Sequence, residues 1–391
     1  MLHPCLRARV RNDGLLKRLT FIILCLEGAL LSFNVAATSA IVPSVAKSFV
    51  LSQFVAGKII WLYMIPYGLA ALLYGPLVRA VDARRVELTC ISFFSAANIL
   101  AGLSATIGQL FVARLLMGLF GASVIPLGLV LIAKHIEPKK RGKFVGIFFS
   151  ATFVASLAGL ALSGVINWRL IYLIPGVAGI ILLPVMFFYL PSFGTESKKL
   201  SINYLPALKN RKILLLFTYI FFISLIYHGI QQWLGVYFSV RFGYSQFLIS
   251  MLITLTSFSG VFGEIIGGQF SDSLGRIKTI NLGLILMGLS ILMLIPSFGL
   301  FFLFGVMIVW GLGWTFNHAG LSTSLTDLPK EYVNEAASLN SGVRFISGGV
   351  GAALSGLILQ RSFTIGFIIF TIGLLILLFL DKYLLNFKHP A

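Results

Sequence analysis

The chain has 391 residues, of which 58% are apolar and only 11% are charged, and its formal net charge is +18. This composition, which includes 35 phenylalanines, lies outside the range of soluble globular domains and predicts an integral membrane protein. The basic residues gather in short loops beside apolar stretches, which explains the positive charge better than nucleic-acid binding does.

The first predicted element is a basic tail over residues 1–18, followed by an apolar span rather than by a signal-peptide cleavage site. Because about 20 apolar residues cross a bilayer as a helix, twelve spans can be placed. They lie near residues 19–42, 59–78, 86–105, 110–134, 144–166, 170–190, 213–240, 247–270, 279–295, 300–325, 336–359 and 365–384. The sequence therefore predicts an all-α integral membrane protein with twelve transmembrane helices.

The polar segment 191–212 separates the spans into two sets of six, which predicts helix bundles over 19–190 and 213–384, a linker between them and a tail at 385–391. An internal repeat supports this division. The turns that begin at Gly75 and Gly268 are offset by 193 residues, and those at Pro138 and Pro329 by 191. We therefore expect two bundles related by pseudo-symmetry.

The loop charges predict an orientation. With both termini in the cytoplasm, 23 Lys and Arg residues fall on the cytoplasmic side and 5 on the opposite side, as the positive-inside rule requires.

No phosphate-binding glycine loop, metal cluster or nucleophile motif is found, and Cys5, Cys25 and Cys90 suggest neither disulfides nor a metal site. The sequence therefore predicts a protein without cofactor or metal that is not an enzyme.

Several motifs carry a resemblance to a known family. The segment GQFSDSLGR at 268–276 resembles the signature between the second and third helix of each half in the major facilitator superfamily. The segments at 111–118, 138–142 and 167–169 are similar to the fourth to sixth helices of its drug and metabolite efflux branch, and Ile41-Val42-Pro43 closes the first helix. The resemblance implies a monomeric secondary transporter in the bacterial inner membrane that exports a small amphipathic compound in exchange for protons.

Two segments depart from the family pattern. Arg79 stands where the family usually has an aspartate, and Asp82 where it has a glycine. In the fifth helix, Ala151, Ala155, Ser156 and Gly159 replace a motif of glycines and a proline. These small residues still permit close helix packing, but the missing proline weakens the inference of antiport.

The cytoplasmic turns suggest two electrostatic gates. Asp272 can face the basic segment around Arg141, and Arg79 can face an acidic segment after the tenth span, with reversed signs. The alternative is that these are ordinary solvated loop charges. The gate residues in this hypothesis are Gly75, Arg79, Asp82, Arg84, Arg141, Gly268, Asp272, Gly275, Arg276, Glu331 and Glu335.

Glu27 is the candidate proton carrier, because it lies several residues from either end of the first span. A carboxyl group at low dielectric favours its neutral form and can exchange a proton as the cavity opens to alternate sides. Arg114 matches the arginine that the family links to proton coupling. The alternatives are a structural, hydrogen-bonded Glu27 and an Arg114 that binds backbone carbonyls.

Polar and aromatic residues of the first, seventh and tenth spans are the candidate substrate wall, since they suit a moderately hydrophobic ligand with polar parts. They are Asn34, His228, Gln231, Gln232, Trp233, Trp314, Asn317 and His318. Each can instead serve in helix packing. Glu264 and Arg344 lie at similar depth and are expected to form a structural pair.

Two other functions remain open from the sequence. The same fold can import or facilitate the diffusion of a small organic solute. A second alternative is a non-transporting receptor or scaffold, for which the altered turn at Arg79 is the one argument; the retained Glu27, Arg114 and Asp272 argue against it.

Overall fold

The computed structural model describes residues 4–192, 204–296, 298–326, 328 and 333–385. These residues form α-helices, which in chain order are α1 (Pro4–Phe49), α2 (Gln53–Ala56), α3 (Lys58–Ala80), α4 (Ala83–Leu103), α5 (Ile107–Gly121), α6 (Val124–His135), α7 (Pro138–Ser163), α8 (Trp168–Tyr189), α9 (Leu205–Lys209), α10 (Arg211–Gln231), α11 (Leu234–Phe242), α12 (Gln246–Ser273), α13 (Arg276–Leu294), α14 (Leu300–Thr326), α15 (Val333–Leu359) and α16 (Phe363–Leu384).

Within the described ranges, twelve helical segments are long and apolar enough to cross a membrane. The twelve predicted spans are therefore confirmed, and the chain is a multi-pass integral membrane protein. The fourth and seventh spans each consist of two helices, α5 with α6 and α10 with α11, whereas the sequence suggested continuous helices. In α1 the helix begins at Pro4 and continues through Pro43 to Phe49, so it extends beyond the predicted first span at both ends.

The helices pack in two bundles of six spans. In the first bundle α1 contacts α7 and α8, and α4 contacts α5 and α8; in the second, α14 contacts α12 and α13, and α10 contacts α15 and α16. Small residues permit the closest contacts. A Cβ atom at Gly159 of α7 would lie 1.8 Å from the Phe33 carbonyl oxygen of α1, so only glycine fits there. The close packing expected of the fifth span is therefore present.

The two bundles meet along α3 and α15. A Cβ atom at Gly68 would lie 2.6 Å from the Ile346 nitrogen and 2.8 Å from the Gly342 carbonyl oxygen. Backbone therefore lies directly against backbone along this α3–α15 seam.

Polar contacts join the bundles at the end that lies farthest from the chain termini. Gln246 of α12 bonds to Ser44 and to the Ala40 carbonyl of α1, and Ser163 of α7 bonds to Ser250 of α12 at 2.8 Å. The structure is thus closed at this end, and the space between the bundles opens toward the end that carries the termini.

Candidate functional site

A cavity of about 770 Å³ lies between the two bundles, and its wall extends to Leu325 and Ala336 near the end that carries the termini. Residues of α1, α3, α6 and α7 line it from the first bundle, and residues of α14 and α15 from the second. Its aromatic wall residues are Tyr63, Tyr67, Phe149 and Phe345, and its polar wall residues are Ser32, His318, Ser322, Asn340 and Ser341. A mostly apolar wall with a few polar groups suits a small amphipathic ligand.

Glu27 of α1 lies in the interior of the first bundle and is 0% exposed. Its carboxyl group is a close neighbour of that of Glu87 of α4, which is also 0% exposed. Among the described residues, none of the four carboxyl oxygens has a hydrogen-bond donor, and no cationic group acts on the pair. Glu27 lies one helical turn from Leu31, which lines the cavity, so the pair is next to the cavity wall.

Tyr74 and Cys90 are the other titratable neighbours of Glu87. The Tyr74 hydroxyl donates to the Leu119 carbonyl at 3.0 Å, and the Cys90 thiol lies 3.2 Å from the same hydroxyl. Neither side chain supplies a positive charge, so the carboxyl pair has no charge compensation from them.

Asn34 does not face the cavity. It is 0% exposed and donates through Nδ2 to Oδ1 of Asn98 in α4 at 2.5 Å. The rotation of α1 about its axis directs Asn34 toward α4 and presents Leu31, Ser32 and Val35 to the cavity instead. The expectation that Asn34 lines the substrate wall is therefore corrected to a contact between helices of one bundle.

Arg114 of α5 lies at the opposite end of the bundle from the carboxyl pair. Its Nε donates to the carbonyl of Ile59, the second residue of α3, and its guanidinium Cζ lies 4.4 Å from the ring centroid of Tyr63. Glu87 is the fifth residue of α4, which follows α3 after a short turn. At 1.5 Å per residue these positions differ by about 25 Å along the bundle, so the structure does not bring Arg114 to Glu27.

The predicted wall residues of the seventh and tenth spans divide into two groups. His318 lines the cavity, and one turn deeper Trp314 stacks on Tyr227, with ring centroids 3.7 Å apart. His228 packs at the edge of this stack, 5.9 Å from the Trp314 centroid. Of these side chains His318 lines the cavity, and the other three pack against one another behind its wall.

The other predicted wall residues pack between helices. Gln231 accepts a hydrogen bond from Trp310 Nε1 at 2.6 Å, and Asn317 donates to the Tyr219 hydroxyl at 3.2 Å. Trp233 donates to the Ala352 carbonyl, and Gln232 follows the last residue of α10 as its C-terminal cap. Helical spacing predicted that these residues share a face within each of the two spans, but the direction that each side chain takes is decided by its neighbours.

Glu264 and Arg344 do not form the expected pair. His318 Nδ1 lies 2.6 Å from Glu264 Oε1, and Arg344 Nε donates to Asn340 Oδ1 at 2.8 Å. Both terminal nitrogens of Arg344 lack a hydrogen-bond partner. The partner of the Glu264 carboxylate is thus the cavity-lining His318 of α14, the helix that packs against α12.

The first predicted gate lies partly within its own bundle. Asp82 caps α4 by accepting from the Arg84 amide and also bonds to Ser192, and Arg84 donates to the Phe187 carbonyl. These contacts anchor the end of α8. Gly75 lies on the α3–α15 seam, where a Cβ atom would be 2.6 Å from Ser338 Oγ. Glu331 and the side chains of Arg79 and Glu335 fall outside the described residues, so the proposed contact between them stays a prediction.

In the second predicted gate, Asp272 and Arg141 do not contact each other in this conformation. Asp272 is exposed and has no partner among the described residues, while Arg141 donates to the Ile136 carbonyl of its own turn. Gly268 has no close neighbour, and Gly275 adopts a left-handed backbone, with φ +94°, before α13 begins at Arg276. An ion pair between Asp272 and the basic turn stays a prediction for the conformation closed at this end.

Residues 24–352 match the model of the Major Facilitator Superfamily. The chain belongs to this superfamily. It is therefore a membrane transporter, and the expected fold of two pseudo-symmetric six-helix bundles is confirmed. A bacterial homolog of the human lysosomal transporter Spinster, solved in an inward-facing and unoccupied conformation, has the same fold: the TM-score is 0.74 at 14% identity, over 96% of this chain and 99% of that one.

The names of relatives within the superfamily point to different functions, and one of these relatives is uncharacterized. An uncharacterized MFS-type transporter of Bacillus subtilis, YbcL, is 22% identical over 85% of this chain and 88% of its own. The probable multidrug resistance protein EmrY of Escherichia coli is 29% identical over 34% of this chain and 27% of its own. The gallate transporter of Pseudomonas putida is 27% identical over 44% of this chain and 38% of its own.

Sequence reasoning missed two residues of the site. Glu87 lies near the start of the third predicted span and was not distinguished from residues at the membrane surface. Asn340 lies near the start of the eleventh span, and nothing in its sequence surroundings distinguishes it from a packing residue. A carboxylate inside a span was the available signal for Glu87.

Proposed function

We propose that the chain is a proton-coupled exporter of a small amphipathic compound, acting as a monomer in a bacterial inner membrane with both termini in the cytoplasm. The buried pair of Glu27 and Glu87 carries this proposal. Two adjacent carboxyl groups without a cation cannot both be ionised at low dielectric. The pair therefore holds at least one proton while it is buried, and it releases a proton when water reaches it.

Helix α1 links this proton site to the closed end of the transporter. Glu27 and Leu31 lie near the cavity, and Ala40 and Ser44 of the same helix bond to Gln246 of the other bundle. A movement of α1 that brings Glu27 to water also changes the contacts at the closed end. The coupling of proton release to opening follows from this shared helix.

The cavity and the relatives support an amphipathic cargo. The wall combines Tyr63, Tyr67, Phe149 and Phe345 with serine, asparagine and histidine side chains, which suits a planar apolar body with polar substituents. The name of the relative EmrY refers to multidrug resistance, which supports export.

Uptake of a small organic solute is the second candidate. The gallate transporter supports it, as does a relative from Acinetobacter baylyi named benzoate transport protein, 25% identical over 37% of this chain. The superfamily fold operates in both directions, and the carboxyl pair serves a symporter as well as an antiporter.

Proton flux in inside-out vesicles tests the proposal. A pH gradient is established, and lipophilic cations, dyes and metabolites are added in turn to vesicles that contain the wild type, Glu27→Gln, Glu87→Gln or the control Asp381→Asn. Asp381 is a buried carboxylate of the other bundle, bonded to Asn281 at 2.6 Å. We expect a substrate-evoked proton flux that both Glu→Gln variants abolish and the control retains. Flux that persists in both Glu→Gln variants would contradict the proposal.

A further inference from the structure

Arg344 of α15 lies behind the cavity wall, among positions of that helix that line the cavity. Ala336, Asn340, Ser341 and Phe345 of α15 line the cavity. At about 100° per residue these four positions cover half of the helix circumference, and residue 344 falls at the centre of that arc. The guanidinium group folds down beside Asn340, and the residue as a whole is 9% exposed.

This guanidinium group has unused hydrogen-bond donors. Nε donates to Asn340, but Nη1 and Nη2 have no acceptor. In the described part of the chain, no carboxylate forms an ion pair with Arg344. The nearby carboxylate of Glu264 is bound to His318. A buried cation without a paired anion is strongly destabilising, and two parallel N–H donors fit a carboxylate.

Aromatic rings adjoin the free donors. The Trp314 ring centroid lies 6.0 Å from Arg344 Cζ, and Trp314 stacks on Tyr227. His228 Nδ1 also lacks a hydrogen-bond partner. A ligand that combines an anionic group with a planar apolar body would satisfy the donors and contact the rings.

We propose that Arg344 binds a carboxylate or similar anionic group of the cargo, which makes the cargo an amphipathic organic anion. The inference rests on the proposed function to the extent that the cavity holds the cargo, but it does not depend on protons or on the direction of transport. Asn340 positions the guanidinium group, and Trp314 supports the apolar body of the ligand.

Binding of 2-naphthoate and of its neutral analogue 2-naphthamide tests this assignment. Full-length protein is placed in phosphatidylcholine nanodiscs, and both affinities are measured at one pH without a gradient. We expect wild type to bind naphthoate at least about tenfold more tightly than naphthamide, as one charge-assisted hydrogen-bond pair permits. Arg344→Gln should bind both compounds equally. Arg169→Gln, which changes an arginine bonded to the Gly102 and Ser104 carbonyls, should keep the preference.

A second variant keeps the arginine and supplies an internal anion. Asn340→Asp places a carboxylate at Arg344 Nε, so we expect weaker naphthoate binding, unchanged naphthamide binding and a higher unfolding temperature. This outcome does not require Arg344→Gln to fold.

Three results would overturn the inference: equal binding of the two compounds by wild type, a preference that survives Arg344→Gln, or a preference abolished by phosphatidylglycerol in the discs, which would assign Arg344 to a lipid headgroup. Because no proton gradient is used, a failure of proton coupling leaves the binding result valid. If wild type binds the two compounds equally while substrate-evoked proton flux is intact, the assignment of Arg344 is contradicted and the proposed function is not.

Discussion

Ser44 of α1 and Gln246 of α12 connect the two bundles at the closed end of the transporter. The Ser44 hydroxyl donates to Gln246 Oε1 at 2.6 Å, and Gln246 Nε2 donates to the Ala40 carbonyl at 2.9 Å. Both hydrogen bonds cross between bundles and must break for this end to open. They therefore stabilise the conformation seen here relative to its alternate.

Gln246→Leu should shift the conformational equilibrium toward opening at this end. Each lost hydrogen bond contributes about 1 kcal/mol, so we expect the population ratio to change about tenfold or more. Distances between spin labels on the two bundles would measure the shift. Gln109→Leu is the matched control, because Gln109 lies at the same end and bonds only to the start of its own helix. Equal distance distributions in both variants would contradict the assignment of this contact as a gate.

Thiol accessibility should report which end is open. In a cysteine-free background, Ser322→Cys and Ser341→Cys place thiols on the cavity wall, and Ser163→Cys places one at the closed end, where the serine is 1% exposed. An impermeant maleimide added on the side of the termini should label the first two at least about tenfold faster than the third, because reaction requires water at the thiol. Equal labelling of all three would show that the closed end admits water.

Gly159→Ala should destabilise the first bundle. Its new Cβ atom would meet the Phe33 carbonyl oxygen at 1.8 Å, so α1 and α7 must separate, which we expect to cost about 1–3 kcal/mol. Gly146→Ala in the same helix is the control. No atom lies within 4 Å of its added Cβ, and alanine should stabilise the helix by up to about 1 kcal/mol. Unfolding in a detergent titration measures both changes, and the same sign for the two variants would count against the packing explanation.

Arg114→Lys should reduce stability without changing the pH dependence of proton flux. Lysine lacks the planar group that bonds to Ile59 and lies over Tyr63, so a loss of about 2 kcal/mol is expected. The site is about 25 Å along the bundle from the carboxyl pair, too far for a direct effect on its protonation. The measurement is a pH profile of flux beside that of Glu87→Gln. If the pH profile of proton flux is shifted in Arg114→Lys, Arg114 takes part in proton coupling.

The spans could be predicted because a bilayer requires long apolar helices. Each such helix is a continuous run of apolar residues, which can be recognised without knowledge of the rest of the fold. Glu27 could also be found, since a carboxylate far from either end of a span is rare. The partner of each polar group could not be predicted. Asn34 bonds to Asn98 and Glu264 contacts His318 because of the rotation of whole helices about their axes. The rotation of each helix depends on all its neighbouring helices at once. The spacing of residues within one span therefore does not predict it.

The α3–α15 seam has a consequence for the energetics of transport. Because Gly68 and Gly342 carry no side chains, the two backbones approach closely, and Leu72 of α3 and Ile346 of α15 each pack against the glycine of the opposite helix. These side-chain contacts have to shift when one bundle moves against the other. The seam therefore contributes to the free-energy difference between the two conformations, together with the hydrogen bonds at the closed end.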